Sequence, residues 1–270
     1  MTDIKVGICG ASGKMGRSII KVVHSDKDMK LSGALEASNN PFLGKDCGVI
    51  AGIGSLGTNI TDKRDLFFNN LDVVIDFSST NVISENLKAA VELNCSYVLG
   101  TTGLDNDLID LINACSKNIP IIMSSNMSLG VNIALHITNK IAGLLDESYD
   151  VEIQEIHHNE KIDAPSGTAL ALGKEVAKGR NINFEKNSTY SRHGSTGKRI
   201  KGSIGFSAQR GGDVVGDHVV SFVGLSERLE IVHKASNRII FANGAVKGAK
   251  WLVRQPPGLY DMKDMLGLNK

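Results

Sequence analysis

The chain carries no paired-cysteine signature. Its four cysteines, Cys9, Cys47, Cys95 and Cys115, are scattered without one C-x-x-C, which argues against a zinc ribbon or a redox dithiol and leaves reduced, mostly buried thiols as the expectation. Net charge is almost absent as well. Thirty Lys and Arg against 29 Asp and Glu leave +1, so neither nucleic acid nor an anionic membrane surface is an expected partner. No apolar run is long enough to span a bilayer. Met1-Thr2-Asp3 passes at once into an apolar strand, leaving no room for a signal peptide, and the expected compartment is the cytoplasm. Repeats and low-complexity tracts are missing. So are several catalytic signatures: no H-E-x-x-H helix exists, Ser166 has no G-x-S-x-G around it, and Gly197-Lys198 lacks the upstream glycine of a phosphate loop. No metal site is expected at His157, His158 and Glu160, because adjacent histidines on a strand point to opposite faces.

What is present begins with a strand, a glycine turn and a helix. Ile4, Val6 and Ile8 alternate into Gly10-Ala11-Ser12-Gly13-Lys14-Met15-Gly16, and the run Arg17 to His24 follows with helical spacing. This order is the first unit of a dinucleotide fold, in which the turn lets the backbone approach a pyrophosphate at a helix N-terminus. The spacing is G-x-x-G-x-x-G, with Ser12 where the commoner fingerprint has its middle glycine. A second strand, Leu31 to Leu35, ends at Glu36, about twenty residues past the last glycine, where an acid grips the adenosine ribose hydroxyls. Gly10, Ala11, Ser12, Gly13, Lys14, Met15 and Glu36 are therefore the first cofactor-binding candidates.

Further strands alternate with helices: Val73 to Phe77, a helix near Val82 to Leu93, Tyr97 to Leu99, a helix near Asp107 to Ser116, then Ile119 to Met123. Near-continuous apolar strands between amphipathic helices imply a parallel sheet covered on both faces, with ligands held by the loops at the strands' C-terminal ends. Those loops are Asp76-Phe77-Ser78-Ser79, Gly100-Thr101-Thr102-Gly103 and Ser124-Ser125-Asn126-Met127. Their small polar residues suit a nicotinamide or its ribose, which adds Gly100, Thr101, Thr102, Ser124, Ser125, Asn126 and Met127 to the candidates.

After Ser128 the pattern changes. A long helix, Val131 to Leu145, precedes the strand Val151 to Ile156, a helix from about Thr168 to Ala177, and strands at Ser203 to Gln209, His218 to Val223 and Arg228 to His233. Strands gathered after a helix suggest an open mixed sheet in a separate α+β domain. The last helical run, Asn237 to Val253, is expected to return to the first domain. The fold class is thus α/β, a Rossmann-type doubly wound parallel sheet domain plus an α+β substrate domain. The expected boundaries are residues 1–127 with 238–270 for the dinucleotide-binding domain, and 128–237 for the second, in line with 270 residues that are 41% hydrophobic.

The most informative stretch is E-I-H-H-N-E-K-I-D-A-P-S-G-T-A, Glu155 to Ala169. His157, His158 and Lys161 can move or stabilise protons near neutral pH, and Ser166, Gly167 and Thr168 offer hydroxyls and backbone N–H groups where a helix begins. Such a site suits a small anionic substrate that must be protonated. The chain as a whole resembles the 4-hydroxy-tetrahydrodipicolinate reductases, formerly dihydrodipicolinate reductases, of bacterial diaminopimelate and lysine biosynthesis. The resemblance rests on the glycine turn, G-A-L-E ending at Glu36, I-D-F-S ending at Ser78, G-T-T-G from Gly100 and S-S-N-M-S-L-G-V-N from Ser124. It continues through the histidine block, which matches every fixed position of E-x-H-H-x-x-K-x-D-x-P-S-G-T-A, then G-x-I-G-F from Gly202, R-G-G-D-V-V-G-D-H from Arg210, and H-K-A-S-N-R with F-A-N-G-A.

The resemblance implies NAD(P)H-dependent reduction of an unsaturated six-membered cyclic imine with two carboxylates, with loss of water from its hydroxylated precursor. It implies His157 as general acid, Lys161 as a second proton donor that also contacts substrate, His158, Ser166, Gly167 and Thr168 as further substrate-binding residues, and a homotetramer assembled through the second domain's sheet. One position departs: Ala37 follows Glu36 where NADPH-using members often carry an arginine, so NADH is expected to serve at least as well as NADPH. Lys14 could still reach a 2′-phosphate, and dual use stays open. Two classes remain at this point, the reductase and a cofactor-binding regulator without chemistry; the His157 and Lys161 pair favours the enzyme. An aspartate-semialdehyde-type dehydrogenase would need a nucleophilic cysteine in a ligand loop, and none of the four occupies one convincingly.

Overall fold

The computed structural model describes residues 3–269, which divide into two compact units. One runs from the N-terminal strand to Leu129 and resumes at Ile239; the other is Gly130–Arg238.

The first unit is built on seven parallel strands. Their order across the sheet is Gly258–Tyr260, Pro120–Met123, Ser96–Leu99, Val73–Asp76, Ile4–Cys9, Met29–Leu35 and Ile60–Thr61. The strands are apolar on both faces, so each face needs its own cover. In Val73–Asp76, Val73 and Ile75 join an apolar cluster with Ile19, Ile20 and Val23 of the helix Lys14–Ser25 and with Ala242, Ala245, Val246, Ala249 and Leu252 of the helix Ile239–Leu252. Val74 belongs to the opposite cluster, with Ile83, Leu87 and Ala90 of the helix Thr80–Glu92 and Ile112 and Cys115 of Asn106–Cys115. Burial on both faces makes this a doubly wound sheet, as its apolar strands require. The strand Gly258–Tyr260 escaped the sequence reading. Three residues long and preceded by Pro256-Pro257, it shows too little alternation to register.

The second unit carries a five-stranded mixed sheet, ordered Arg228–Ala235, Gly216–Val223, Asp150–His157, Ile204–Arg210 and Ser188–Thr189. The first three strands pair antiparallel and the last three parallel. Along Asp150–His157, Val151 and Ile153 face a core shared with Leu172, Val176 and Ala177 of the helix Gly167–Arg180 and with Phe206, Val220 and Phe222. Gly179 lets that helix touch Leu129–Leu144, since a Cβ there would meet the Asn139 carbonyl at 2.3 Å. The other face exposes Gln154, Ser207 and Val232, which the strand register sets side by side.

Because side chains alternate along a strand, Glu155 and His157 fall on the same face as Val151 and Ile153. The register continues that row into His218, opposite Glu155, and His233, opposite His218. The apolar layer beneath the helix thus gives way, at one end, to a row of titratable groups.

Candidate functional site

The loops expected to bind a nucleotide all leave the same edge of the first unit's sheet, because its strands are parallel. Gly10 closes the first turn with φ +73°, a conformation that favours glycine. Gly16 is required by contact: a Cβ would lie 2.1 Å from the Gly10 carbonyl oxygen, so the helix could not seat against the turn. Gly13 precedes the helix with no side-chain cap. Ser12 donates through its N–H and its hydroxyl to Glu36 Oε1, at 2.8 and 2.7 Å, and its carbonyl accepts from Arg17 Nε at 2.7 Å. Glu36 is thereby fixed to the turn by one oxygen, while Oε2 accepts from the Ala37 N–H at 3.3 Å. Bare backbone at a helix N-terminus, with a carboxylate pinned beside it, fits a dinucleotide's pyrophosphate and ribose.

Beyond Glu36 lies a cleft of about 200 Å³ whose lining includes Gly10, Glu36, Ala37, Ser79, Val82 and Arg64. Arg64 was not among the residues expected from the sequence, because it follows the two-residue strand Ile60–Thr61, which has no periodicity to reveal it. Behind the cleft, the fully buried Asp76 carboxyl accepts from the Ser78 N–H at 2.7 Å, the Ser78 hydroxyl at 2.6 Å, Asn86 Nδ2 at 2.9 Å and the Tyr97 hydroxyl. This hub sets the course of the loop after the strand Val73–Asp76.

Of the other expected contacts, Thr101 donates to the Ser78 carbonyl at 3.2 Å, and Ser124 to the Asn126 carbonyl at 2.9 Å. Ala11 and Met127 are buried in the apolar cluster, and the Met127 carbonyl abuts Gly244, where a Cβ would come within 1.7 Å of it. Lys14 is exposed. All four cysteines are buried. Desolvation raises the Cys9 thiol and pushes Cys47 up to about 11 and Cys95 up to about 12, which keeps them protonated and leaves no thiolate nucleophile.

In the second unit, His157 ends its strand with Nδ1 2.5 Å from Glu155 Oε2. Glu155 is buried, and Arg210 grips both its oxygens, at 2.8 and 2.9 Å, while the Ser166 N–H donates to Oε1 at 3.1 Å. Burial by itself would raise the Glu155 carboxyl; the hydrogen bonds from Arg210, His157 and Ser166 outweigh it and hold the group below its ordinary range. An ionised carboxylate only accepts, so His157 Nδ1 carries the hydrogen and Nε2 is the nitrogen that can exchange a proton with a ligand. Gly216 makes room for the ring: a Cβ there would come within 2.7 Å of Nε2.

His218 packs edge-on against His157, with ring centroids 5.2 Å apart, and its Nε2 lies 2.9 Å from Ser166 Oγ. Burial first, then the neighbouring His157, lower its pKa to about 4. Ser166 Oγ also accepts from the Ala169 N–H at 3.2 Å, capping the helix Gly167–Arg180. Its amide and hydroxyl thus each have a partner inside the fold. Gly167, which begins the helix, is exposed, and a Cβ there would meet nothing within 4 Å.

Lys161 rests on Asp163 Oδ1 at 2.6 Å, and Arg210 ties the same segment through the Asp163 carbonyl at 2.6 Å. His158 is held by its N–H to the Val214 carbonyl at 2.7 Å, and Arg238 Nη2 approaches its Nε2 at 3.3 Å. The structure therefore brings His157, His158, Lys161 and the helix start together on one edge of the second sheet. It adds Glu155, Arg210, His218 and Arg238, the last three from strands or turns too distant in sequence to be paired with the block by spacing.

A model described as "Dihydrodipicolinate reductase, N-terminus" matches residues 4–127, and one described as "Dihydrodipicolinate reductase, C-terminus" matches residues 130–266. The chain belongs to the dihydrodipicolinate reductase family. The two family models meet within a residue or two of the break between the structural units. Among its relatives, the 4-hydroxy-tetrahydrodipicolinate reductase of Pelobacter propionicus is 43% identical over 98% of this chain and 99% of its own length. That of Nitrosospira multiformis is 43% identical over the whole of both chains. A dipicolinate-bound dihydrodipicolinate reductase from Paenisporosarcina sp. TG-14 has the same fold, with a TM-score of 0.73 at 22% identity over 96% of this chain and 98% of that one.

Proposed function

We propose that this protein reduces 4-hydroxy-tetrahydrodipicolinate to tetrahydrodipicolinate in diaminopimelate and lysine biosynthesis, with a hydride from NAD(P)H and loss of water. The observation that carries the reading is the buried Glu155 carboxylate, clamped by Arg210, that fixes the tautomer of His157. The first unit holds the nucleotide through the Gly10–Gly16 turn and Glu36, and the second unit, Gly130–Arg238, holds the substrate, which puts Arg238 on the substrate side of the expected boundary at 237/238. When bound, the nicotinamide supplies the hydride.

The chain's own residues then manage charge and protons. Reduction of the unsaturated imine leaves negative charge spread over an enamine-like ring, and a ring carbon must take a proton. His157 donates it from Nε2, and Glu155 offsets the positive charge of the imidazolium beforehand. Lys161 places an ammonium near that developing charge or a substrate carboxylate, and the helix N-terminus that begins at the exposed Gly167 receives a carboxylate, with Thr168 beside it. His158, backed by Arg238, supplies a further contact.

We place the protein in the cytoplasm; among the described residues, no helix is long and apolar enough to cross a membrane. A homotetramer through the exposed face of the mixed sheet is our reading of its assembly, supported by the uncovered row of Gln154, Ser207 and Val232. The test of the reaction is direct. NADH absorbance should fall when the cyclic substrate is supplied, and His157→Ala should slow turnover by roughly 10²- to 10⁴-fold while leaving nucleotide binding nearly unchanged. Turnover like the wild type in that variant would remove His157 from the mechanism.

A further inference from the structure

The cleft beyond Glu36 has no partner in the chemistry above. Its volume, about 200 Å³, is below the 300 Å³ or so at which pockets for whole small ligands begin, so it holds one piece of a larger molecule. The piece follows from position. Gly10 belongs to the phosphate turn and Glu36 to the ribose, and both line the cleft; a dinucleotide running on past the ribose places its base there. Leu35, Ala37 and Val82 supply apolar walls, and among the lining residues Arg64 is the only cation.

Arg64 is tied by its edge. Its Nε donates to Asn86 Oδ1 at 3.0 Å and its Nη2 lies 2.8 Å from Glu85. Asn86 is itself buried and anchored to Asp76 at 2.9 Å. A guanidinium fixed along its edge keeps a flat face for stacking, whereas an arginine recruited for a phosphate presents that edge as a bidentate fork. Here the Nε and Nη2 edge is already taken by Asn86 and Glu85, and the Glu36 carboxylate in the same cleft opposes a second anion.

We propose that Arg64 is the adenine-stacking residue of the nucleotide site, held flat by the Asp76–Asn86 pair, and that it serves NADH and NADPH alike without reading the 2′-phosphate. The inference rests on the nucleotide reading of the first unit. Its role is binding rather than chemistry, so the measurement is equilibrium binding of AMP, NADH and NADPH by titration calorimetry to the whole protein, without substrate.

Arg64→Ala should weaken all three by a similar factor, about five- to thirty-fold, the worth of a partly desolvated cation–π stack. Arg64→Lys keeps the charge and loses the plane, and should bind all three nearly as weakly as the alanine variant. Arg64→Ala unpairs the oxygen of the buried Asn86, so a lowered melting temperature is expected of it, and the titrations are run at a temperature where each variant's melting curve shows it fully folded. Unchanged affinity in Arg64→Ala would overturn the proposal. A loss confined to NADPH and restored by Arg64→Lys would also overturn it and make Arg64 a phosphate contact. If the unaltered protein bound none of the three ligands, the nucleotide reading itself would fall.

Discussion

Replacing Glu155 by glutamine asks how much of the second unit's site depends on one buried charge. The carboxylate has four donors pointed at it: two from Arg210, one from His157 Nδ1 and one from the Ser166 N–H. Glutamine keeps the shape but exchanges one acceptor oxygen for an NH₂ group, which must then face a donor. With the amide oxygen in the Oε2 position the NH₂ confronts Arg210 Nη2 and the Ser166 N–H; turned the other way it confronts Arg210 Nη1 and the His157 ring, and in either orientation Arg210 loses half of its fork. Each charge-assisted hydrogen bond contributes about 1.5–3 kcal/mol, and unpairing one member of a buried ion pair costs about 3–5 kcal/mol. The Arg210 side chain is 21% exposed, so water recovers part of the loss and the lower end applies, about 3 kcal/mol. Denaturant unfolding should show this as a reduced midpoint with an unchanged slope.

Activity should fall further than stability explains. Without the anion, His157 Nδ1 no longer has to carry the hydrogen and the imidazolium is no longer offset, so kcat should drop by about 10²-fold or more at temperatures where the variant is fully folded. The KM for NADH should hardly move. A variant with wild-type kcat, whatever its stability, would refute the argument that Glu155 sets the state of His157.

Three further outcomes follow from the same geometry. Lys161→Ala should raise the substrate KM and lower kcat together, read from steady-state kinetics, because its ammonium would serve both the bound carboxylate and the intermediate. NADH should be used at least as well as NADPH, and Ala37→Arg should shift the ratio of kcat/KM toward NADPH at fixed ionic strength; a tenfold NADPH advantage in the unaltered protein would mean that Lys14 or another cation outweighs the missing arginine. His218, with its pKa lowered to about 4, stays neutral in the fold while the unfolded chain takes up a proton below the ordinary value of 6.5. Its stabilising contribution is therefore full above pH 6.5 and is lost as pH falls from there toward 4. His233, lowered by burial too, adds a loss in the same direction, so His218→Gln should flatten the fall in unfolding midpoint without abolishing it; an unchanged fall would mean His218 does not titrate there.

The parts of the molecule legible in the sequence are those written in short spacings. Gly10 and Gly16 announce a turn because only bare backbone fits there, and Glu36 follows at the distance one helix and one strand impose. The apolar runs at Val73 and Tyr97 read as doubly covered strands because nothing polar interrupts them. What stayed hidden was assembled across long sequence separations. Glu155 gains its meaning from Arg210, 55 residues on, and Ser166 from His218, 52 residues on. From sequence, Ser166 reads as a ligand contact; only the fold shows its hydroxyl committed to a cap and an imidazole. Arg64 was invisible for a related reason, since the helix Arg64–Phe68 and the strand before it are too short to show a period.

The return of the chain at Ile239 has a consequence for how the protein is made. The helix Ile239–Leu252 contributes Ala242, Ala245, Val246, Ala249 and Leu252 to one face of the first sheet, and Gly258–Tyr260 completes its edge. A ribosome delivers these residues last, after all of the second unit. Until then the nascent nucleotide half has its glycine turn and most of its strands but carries an uncovered apolar face and an unpaired strand edge at Pro120–Met123, the two features that most invite association between unfinished chains. A chain stopped near Arg238 should therefore be insoluble, although it would contain every residue of the histidine block. Grafting residues 239–269 directly onto Leu129 should rescue the first unit as an independent nucleotide binder.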